Sequence, residues 1–226
     1  MRLDAGRVTP LFLVLTALVA TSASAQERIG FSLEPWLERS QMSGRQSIDN
    51  AVFDQTFDYG SAGVSASLFM LFHAKERFRA GPALRVYGNY RALADSDFHF
   101  GFLTEALFLG EYAIPSVVEK FDAIIGFRAG VPVLFPGGDL RAEIDRLRAD
   151  DVDVWAVPRV GALLGGTVGT RRQMTKKLAL RADLTGQYEQ LWLFATSQTI
   201  DDLRFRKSWR THSVRIGLQL AVELGL

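Results

Sequence analysis

The chain closes on Val214-Arg-Ile-Gly-Leu-Gln-Leu-Ala-Val-Glu-Leu-Gly-Leu226, and this stretch decides how the rest is read. Val214, Ile216, Leu218, Leu220, Val222, Leu224 and Leu226 fall on every second position, with Arg215, Gly217, Gln219, Ala221, Glu223 and Gly225 between them. A period of two sends alternate side chains to opposite faces of a strand, so one face is wholly apolar and the other polar or small. The same pattern recurs upstream. Ala62, Val64, Ala66, Leu68, Met70 and Phe72 form one face of a second segment, separated by Gly63, Ser65 and Ser67. Phe121, Ala123, Ile125, Phe127, Ala129, Val131, Val133 and Phe135 form another.

Eight such segments are expected, over 28–38, 60–72, 78–90, 98–112, 121–135, 156–168, 178–190 and 208–226. Most exceed the ~5–6 residues of an ordinary globular strand and match the ~9–11 that cross a bilayer at a tilt. Their connections alternate between short (73–77, 113–120, 169–177) and long (39–59, 136–155, 191–207), with 91–97 intermediate. Across the apolar parity of 29–37, 62–72, 78–90, 98–112, 121–135, 156–168, 178–188 and 212–226, 55 positions carry no Asp, Glu, Lys or Arg, where the overall 23% would place about 13. A lipid-facing Arg or Lys costs ~2–4 kcal/mol at the bilayer midplane, which accounts for the gap.

Periodicity does not say which face points out. A soluble calyx also has eight alternating strands, with its apolar face inward. Two features favour the membrane alternative. Lys75, Lys120, Lys176, Lys177 and Lys207 lie in or beside connections, not in mid-strand as on a water-facing sheet. Aromatic residues gather near strand ends (Trp36, Phe72, Phe98, Tyr112, Phe121, Phe135, Tyr188), as interfacial girdles do. The expectation is an all-β, eight-stranded antiparallel up-and-down transmembrane β-barrel with a short helix in its third outer loop.

The N-terminus agrees. Arg2 and Arg7 precede the apolar run Leu11–Ala20, and Ala23-Ser24-Ala25 follows as a small-x-small cleavage signal. Residues 1–25 are therefore expected to be a signal peptide and 26–226 the barrel. A formal charge of +1 argues against nucleic acid as a partner. The absence of cysteine removes thiol catalysis, thiolate metal sites, disulfides and a lipid-anchored N-terminus.

At the C-terminus, Arg215-x-Gly217-x-x-Leu220-x-Val222 resembles the last-strand signal read by the barrel assembly machinery, although the chain ends on Leu226 where phenylalanine is usual. Over residues 27–226 the chain resembles the small bacterial outer-membrane barrels of the OmpA/OmpX type. That resemblance implies the outer membrane as location, with the assembly machinery, membrane lipid and lipopolysaccharide as partners. It leaves function open among binding barrels, lipid-A-modifying enzymes and small channels.

The inward parity carries Glu34, Glu105, Asp122, Asp183 and Glu223 with Arg79, Arg85, Arg128, Arg159, Arg181 and Arg215, joined by Glu38, Glu111 and Glu189. An eight-stranded barrel is just wide enough for side chains to fill, so these charges are expected to pair into a closed, salt-bridged lumen. Catalytic signals are weak. Ser96 and His99 stand three apart in the second outer loop, among Asp95 and Asp97, which is also ordinary turn chemistry. No metal-ligand spacing or cofactor motif stands out, so neither metal nor cofactor is expected; Asp49, Asp54 and Asp58 offer at most a loose cation site.

Residues Asp139–Asp150 read as a helix capped by Asp139, with Leu140, Ile144 and Leu147 as its stripe and Arg141, Arg146 and Arg148 on the other faces. Pro132 and Pro158 are expected in neighbouring strands five and six. Proline lacks the N–H that a ladder needs, so the pair marks either a bulge and a strand end or a lateral slot between barrel and leaflet.

Overall fold

The computed structural model describes residues 27–49, 51–93, 97–118, 121–155, 158–200 and 203–226. The signal-peptide expectation and Ser96 lie outside them. Eight strands run in chain order: β1 (Arg28–Ile48), β2 (Ala51–Lys75), β3 (Phe78–Ala92), β4 (Phe98–Val118), β5 (Phe121–Pro136), β6 (Arg159–Gln173), β7 (Leu178–Ile200) and β8 (Leu203–Gly225). A helix, α1 (Gly138–Ala149), lies between β5 and β6. Each strand pairs antiparallel with the next, and β1 pairs with β8 from Arg28↔Gly225 to Ile48↔Phe205, so the sheet closes.

Closure settles which face points where. On β8, Val214, Ile216, Leu218, Leu220, Val222 and Leu224 are exposed, while Ser213, Arg215, Gln219 and Glu223 are buried. Phe31, Leu33, Leu37, Leu84, Phe108, Phe127, Leu164 and Leu184 are likewise outward and exposed around the ring. A calyx would reverse these assignments. An uninterrupted apolar belt of this kind is far larger than the patches water-soluble monomers tolerate.

Four corrections concern the outer half of the barrel. First, 39–59 and 191–207 are not loops: β1 and β2 pair to Ile48↔Ala51, and β7 and β8 to Ile200↔Leu203. Both faces of these extensions carry polar residues, so the apolar alternation disappears while the backbone pairing continues. With the β1–β8 pairing they form a four-stranded canopy, in the order β2-β1-β8-β7, above the apolar belt.

Second, Tyr90 and Phe100 point inward, opposite to their expected parity, and each is 1% exposed. The cause is a pair of irregularities in the β3–β4 hairpin, between Val86 and Gly88 and between Tyr90 and Arg91. Gly88 has φ +73° and Gly101 has φ +125°, backbone that side-chain-bearing residues rarely adopt. Each irregularity adds a residue to one strand and so swaps the faces beyond it. A third, between Trp192 and Phe194 in β7, brings both Leu193 and Phe194 inside.

Third, Trp36 is not a girdle residue. It is 5% exposed, faces the lumen on the parity of Glu34 and Glu38, and meets Tyr87 edge-on at 5.4 Å between centroids. Fourth, Asp139 does not cap α1. Gly137 is the N-cap, and Asp139 in the first turn accepts a hydrogen bond from the His99 backbone N–H at 2.8 Å.

The expected stripe on α1 is present: Leu140, Ile144 and Leu147 are buried. They press into an apolar cluster that includes Tyr59, Tyr90, Phe100, Leu134, Leu191 and Leu193. Val152 and Val154 extend that contact, and the segment after the helix is tied to β7, where Gln198 donates to the Asp151 carbonyl at 2.8 Å and accepts from the Asp153 N–H at 2.6 Å. The helix and this segment close the mouth at the end opposite the Arg28↔Gly225 pair.

Candidate functional site

Two regions combine chemistry-bearing side chains: the lumen, and the space between α1 and the canopy.

The lumen network follows from strand register. Arg79↔Glu111 and Arg85↔Glu105 are direct partners across β3–β4, Glu38↔Arg215 across β1–β8, and Asp122↔Arg171 across β5–β6. Opposite charges facing one another in an enclosed sheet pair with little loss of side-chain freedom. Near the termini, Arg181 meets Glu111, Asp183 (2.5 Å) and Glu223 (3.4 Å). Arg79 stands 3.6 Å from Glu111 and 3.7 Å from Glu223, and Arg28 reaches Glu223 at 3.5 Å. Arg171 holds Asp122 at 2.7 Å.

A second layer lies towards the outer mouth. Arg215 pairs with Glu38, with Glu105 at 2.8 Å and with Glu189 at 3.3 Å. Its guanidinium lies 4.2 Å from the Tyr87 ring centroid and 5.0 Å from that of Trp36. Arg85 reaches Glu34 at 3.0 Å and Glu105 at 3.7 Å, and Arg128 reaches Glu34 at 3.6 Å. Gln187 donates to Glu105 at 2.7 Å and accepts from both Arg85 and Arg128. Tyr90 donates to Glu38, which joins this layer to the apolar cluster beneath α1.

Of the fourteen lumen charges expected from sequence, thirteen stand in these two layers. Arg159 stands apart: it is buried under the mouth, donates to the Trp155 carbonyl at 2.5 Å and has no carboxylate partner among the described residues. Arg28 and Arg171 were missed. Arg171 continues the parity of Arg159 past residue 168, where the apolar alternation fades and the strand was taken to end. Gln187 and Tyr87 carried no charge to flag them.

His99 is half-buried, with Nδ1 3.4 Å from Asn89 Nδ2. Asp49, Asp54 and Asp58 do not converge: they meet the Arg204 N–H, Arg45 and Gln41 respectively. Among the described residues no three acids or histidines gather as metal ligands.

Among the described residues the ladder opens for two residues beside each of Pro35 (β1–β8), Pro82 (β2–β3) and Pro132 (β5–β6), and over a longer stretch between β2 and β3. Between β5 and β6, Gly130↔Leu163 and Val133↔Val160 share one register, and Val131 and Pro132 between them have no partner on β6. Pro132 is buried, and Gly161 leaves room for its ring: a Cβ there would lie 2.9 Å from Pro132 Cγ. Pairing resumes through Leu134↔Arg159, and Pro158 lies just before β6 begins. Between β2 and β3, pairing stops at Ala66↔Val86 and returns only as the bridge Gly60↔Leu93.

The second region is a cleft of about 550 Å³ between α1 and the canopy, bordered by Phe98, Leu140, Glu143, Phe194, Lys207 and Trp209. Phe194 stacks on Trp209 at 5.7 Å, and Lys207 Nζ lies 5.7 and 5.5 Å from their centroids and 3.3 Å from Glu143 Oε1. Arg146, which also binds Glu143 at 2.8 Å, contributes most to holding that carboxyl below its ordinary pKa, with Lys207 adding to it. Helix and canopy are thus joined by an ion pair set among aromatic rings.

No protein-family model and no curated protein sequence matches the chain. Among solved structures it is similar to Neisserial surface protein A, at 12% identity over 80% of this chain and 96% of that one, with a TM-score of 0.39. It is similar to the outer membrane protein OprG from Pseudomonas aeruginosa, at 10% identity over 88% and 97%, with a TM-score of 0.46. It is also similar to Ail, the attachment invasion locus protein of Yersinia pestis, in complex with the heparin analogue sucrose octasulfate, at 12% identity over 83% and 98%, with a TM-score of 0.29. With its ring of eight up-and-down strands, apolar outside and charged within, the chain has the architecture of the small bacterial outer-membrane β-barrels.

Proposed function

We propose that the chain is an integral outer-membrane barrel, exported through the leader at residues 1–25, whose lumen is closed and whose work is done by the surface it presents outside the cell. The observation that carries this reading is the contrast between the two faces of one sheet: an outward belt free of charge and an inward face on which acids and arginines neutralise one another. A barrel filled in this way leaves the outer mouth, α1 and the canopy as the places where other molecules can be met.

Lipopolysaccharide is the first partner this surface fits. Arg39, Arg206 and Arg210 are exposed on the parity of lipid-facing Val214 and Leu37, on the outer side of β1 and β8 beyond the apolar belt. Arginine there suits phosphate groups at headgroup depth. The test is fractionation with heat-modifiable gel migration, followed by planar-bilayer recording. Membrane fractionation, a folded form that migrates apart from the boiled one, and no conductance steps are the expected results. Recovery as soluble material overturns the location, and steady conductance overturns the closed lumen.

A second reading, lateral passage of an apolar molecule between barrel and leaflet, is favoured by the missing pairs at Val131 and Pro132 and by the unpaired stretch between β2 and β3. Restoring the β5–β6 pairs with Pro132→Val distinguishes the readings: uptake of an apolar solute into vesicles falls if the seam is a passage and stays unchanged if it is structural.

A further inference from the structure

The canopy has a recess of its own. A hollow of about 330 Å³, lined by Gly44, Gln46, Ile48, Phe53, Gln55 and Trp209, opens beside the larger cleft and shares Gln46, Gln55 and Trp209 with it. Register builds it. Gly44 stands between Gln55 on β2 and Trp209 on β8, and Gln46 stands between Phe53 and Lys207. The missing side chain at residue 44 seats the indole, since a Cβ there would lie 2.7 Å from Trp209 Nε1. One side of the hollow is apolar, with Phe53 56% exposed and Ile48 37%.

The polar groups of this hollow are unused. Neither carboxamide, and not the Trp209 Nε1–H, has a hydrogen-bond partner among the described residues. On the face of the canopy that lines the hollow, Lys207 is committed to Glu143, which Arg146 also holds, while Arg45, Arg206 and Arg210 point to the opposite face. The recess therefore offers two amides that both donate and accept, one further donor and a flat apolar wall, with no spare charge. A concave site in which a few polar groups converge beside an apolar wall is the usual form of a ligand pocket. An anionic or cationic ligand would have to break an existing ion pair.

We propose that this recess binds a neutral saccharide, one sugar ring lying against Phe53 with its hydroxyls on Gln46, Gln55 and the Trp209 N–H, and the next unit of the chain entering the cleft towards α1. A pyranose has the matching form, apolar on its faces and hydroxylated at its rim. The proposal rests on the reading of the canopy as the surface presented outside the cell, where such chains come from lipopolysaccharide in the same leaflet or from a foreign glycan.

The experiment uses the refolded full barrel in a detergent without a sugar headgroup, so that the micelle does not compete. Calorimetric titration with a panel of neutral linear tri- and tetrasaccharides, and with the neutral sugar chain released from lipopolysaccharide, separates the two sources. Saturable binding of at least one is expected. Trp209→Phe keeps an aromatic ring beside Phe194 and loses the N–H with part of the ring surface, so it weakens binding at least about fivefold, and Gln46→Ala with Gln55→Ala roughly 25-fold, at ~1 kcal/mol for each hydrogen bond. Gln41→Ala, on the opposite face, leaves binding unchanged. Heat-modifiable migration of every variant confirms the fold. Absence of binding to any neutral saccharide, binding of charged saccharides alone, or unchanged affinity in both recess variants overturns the proposal. Because purified protein is used, such a failure is separate from any failure of the membrane assignment.

Discussion

The interior of this barrel is built in two different ways along one axis. Towards the barrel end at Arg28 and Gly225 and in the middle, the strands enclose arginines and carboxylates that lie against one another across the ladder, as Arg79 and Arg181 do around Glu111 and Glu223. Towards the outer mouth they enclose tyrosines, phenylalanines and leucines, and α1 seals the opening with Leu140, Ile144 and Leu147. The lower region obtains its fit from register, since paired charges sit on facing positions of neighbouring strands. The upper region obtains its fit from a change of register: the irregularities at Gly88, Gly101 and Phe194 turn side chains inward that strict alternation would turn out. The polar lumen therefore belongs to the barrel itself, while the apolar seal is an assembly added at one end. Loss of the first should cost the whole fold, and loss of the second should cost only the mouth.

The largest effect tests the lower half of that statement. Arg215→Met removes the partner shared by Glu38, Glu105 and Glu189 and leaves Glu38 and Glu189 buried without a cation, while Glu105 keeps Arg85 at 3.7 Å. A destabilisation of ~3–5 kcal/mol is expected, read as a lowered urea midpoint of the refolded barrel in micelles. A shift below about 1 kcal/mol would mean that the network is not coupled as its geometry indicates. Replacing Arg215, Glu38, Glu105 and Glu189 together by apolar residues of similar volume should recover most of the loss.

Ile144→Ala comes next and tests the seal. Ile144 is fully buried in the apolar cluster, so about 2–4 kcal/mol of local stability should be lost. The expected signature is selective: tryptic cleavage at Arg146 and Arg148 accelerates, while heat-modifiable migration is unchanged. Global unfolding of this variant would show that mouth and barrel are one cooperative unit.

Gly88→Ala should act more weakly. Nothing lies within 4 Å of the position a Cβ would take, so only the backbone at φ +73° resists the change. A cost of ~1–2 kcal/mol is expected, with altered near-ultraviolet circular dichroism from the tyrosines beyond the irregularity.

The smallest effect is a pH dependence of the contact between helix and canopy. Arg146 and Lys207 hold the Glu143 carboxyl below its ordinary pKa, so its contribution is complete above the unfolded-state value and is lost as pH falls through the lower folded one. The mobility of a spin label on α1 should therefore stay low above the ordinary glutamate range and rise as pH falls below it. Glu143→Gln should remove the dependence. The pair is partly exposed, so the gain is below about 1 kcal/mol.

How much of this could be read from the sequence follows the same division. The belt and the polar lumen were legible because alternation survives wherever one face meets lipid and the other meets charge, as along Val214–Leu224. The canopy was not, because Arg39–Ile48 and Arg204–Ser213 have polar residues on both faces and so carry no period. Tyr90 and Phe100 were placed on the wrong face because a single extra residue swaps every side chain beyond it, and no hydrophobic pattern records that residue in advance. The recess at Gly44 was invisible for a further reason. Its residues come from β1, β2 and β8, and only the register Gln55–Gly44–Trp209 brings them together.

Accessibility along two strands decides whether one sheet faces lipid outside and a closed charged core inside. The chain has no cysteine, so single cysteines can be placed in turn at 214–224 and 84–92, spin-labelled and reconstituted in lipid vesicles. On β8, even positions should respond to dissolved oxygen and odd positions to neither oxygen nor a water-soluble nickel chelate. On β3, the alternation should reverse across Gly88, with residue 89 outward and residue 90 inward. Nickel access at Ile216, Leu218 and Leu220, or an alternation that runs through Gly88 unchanged, would contradict the account.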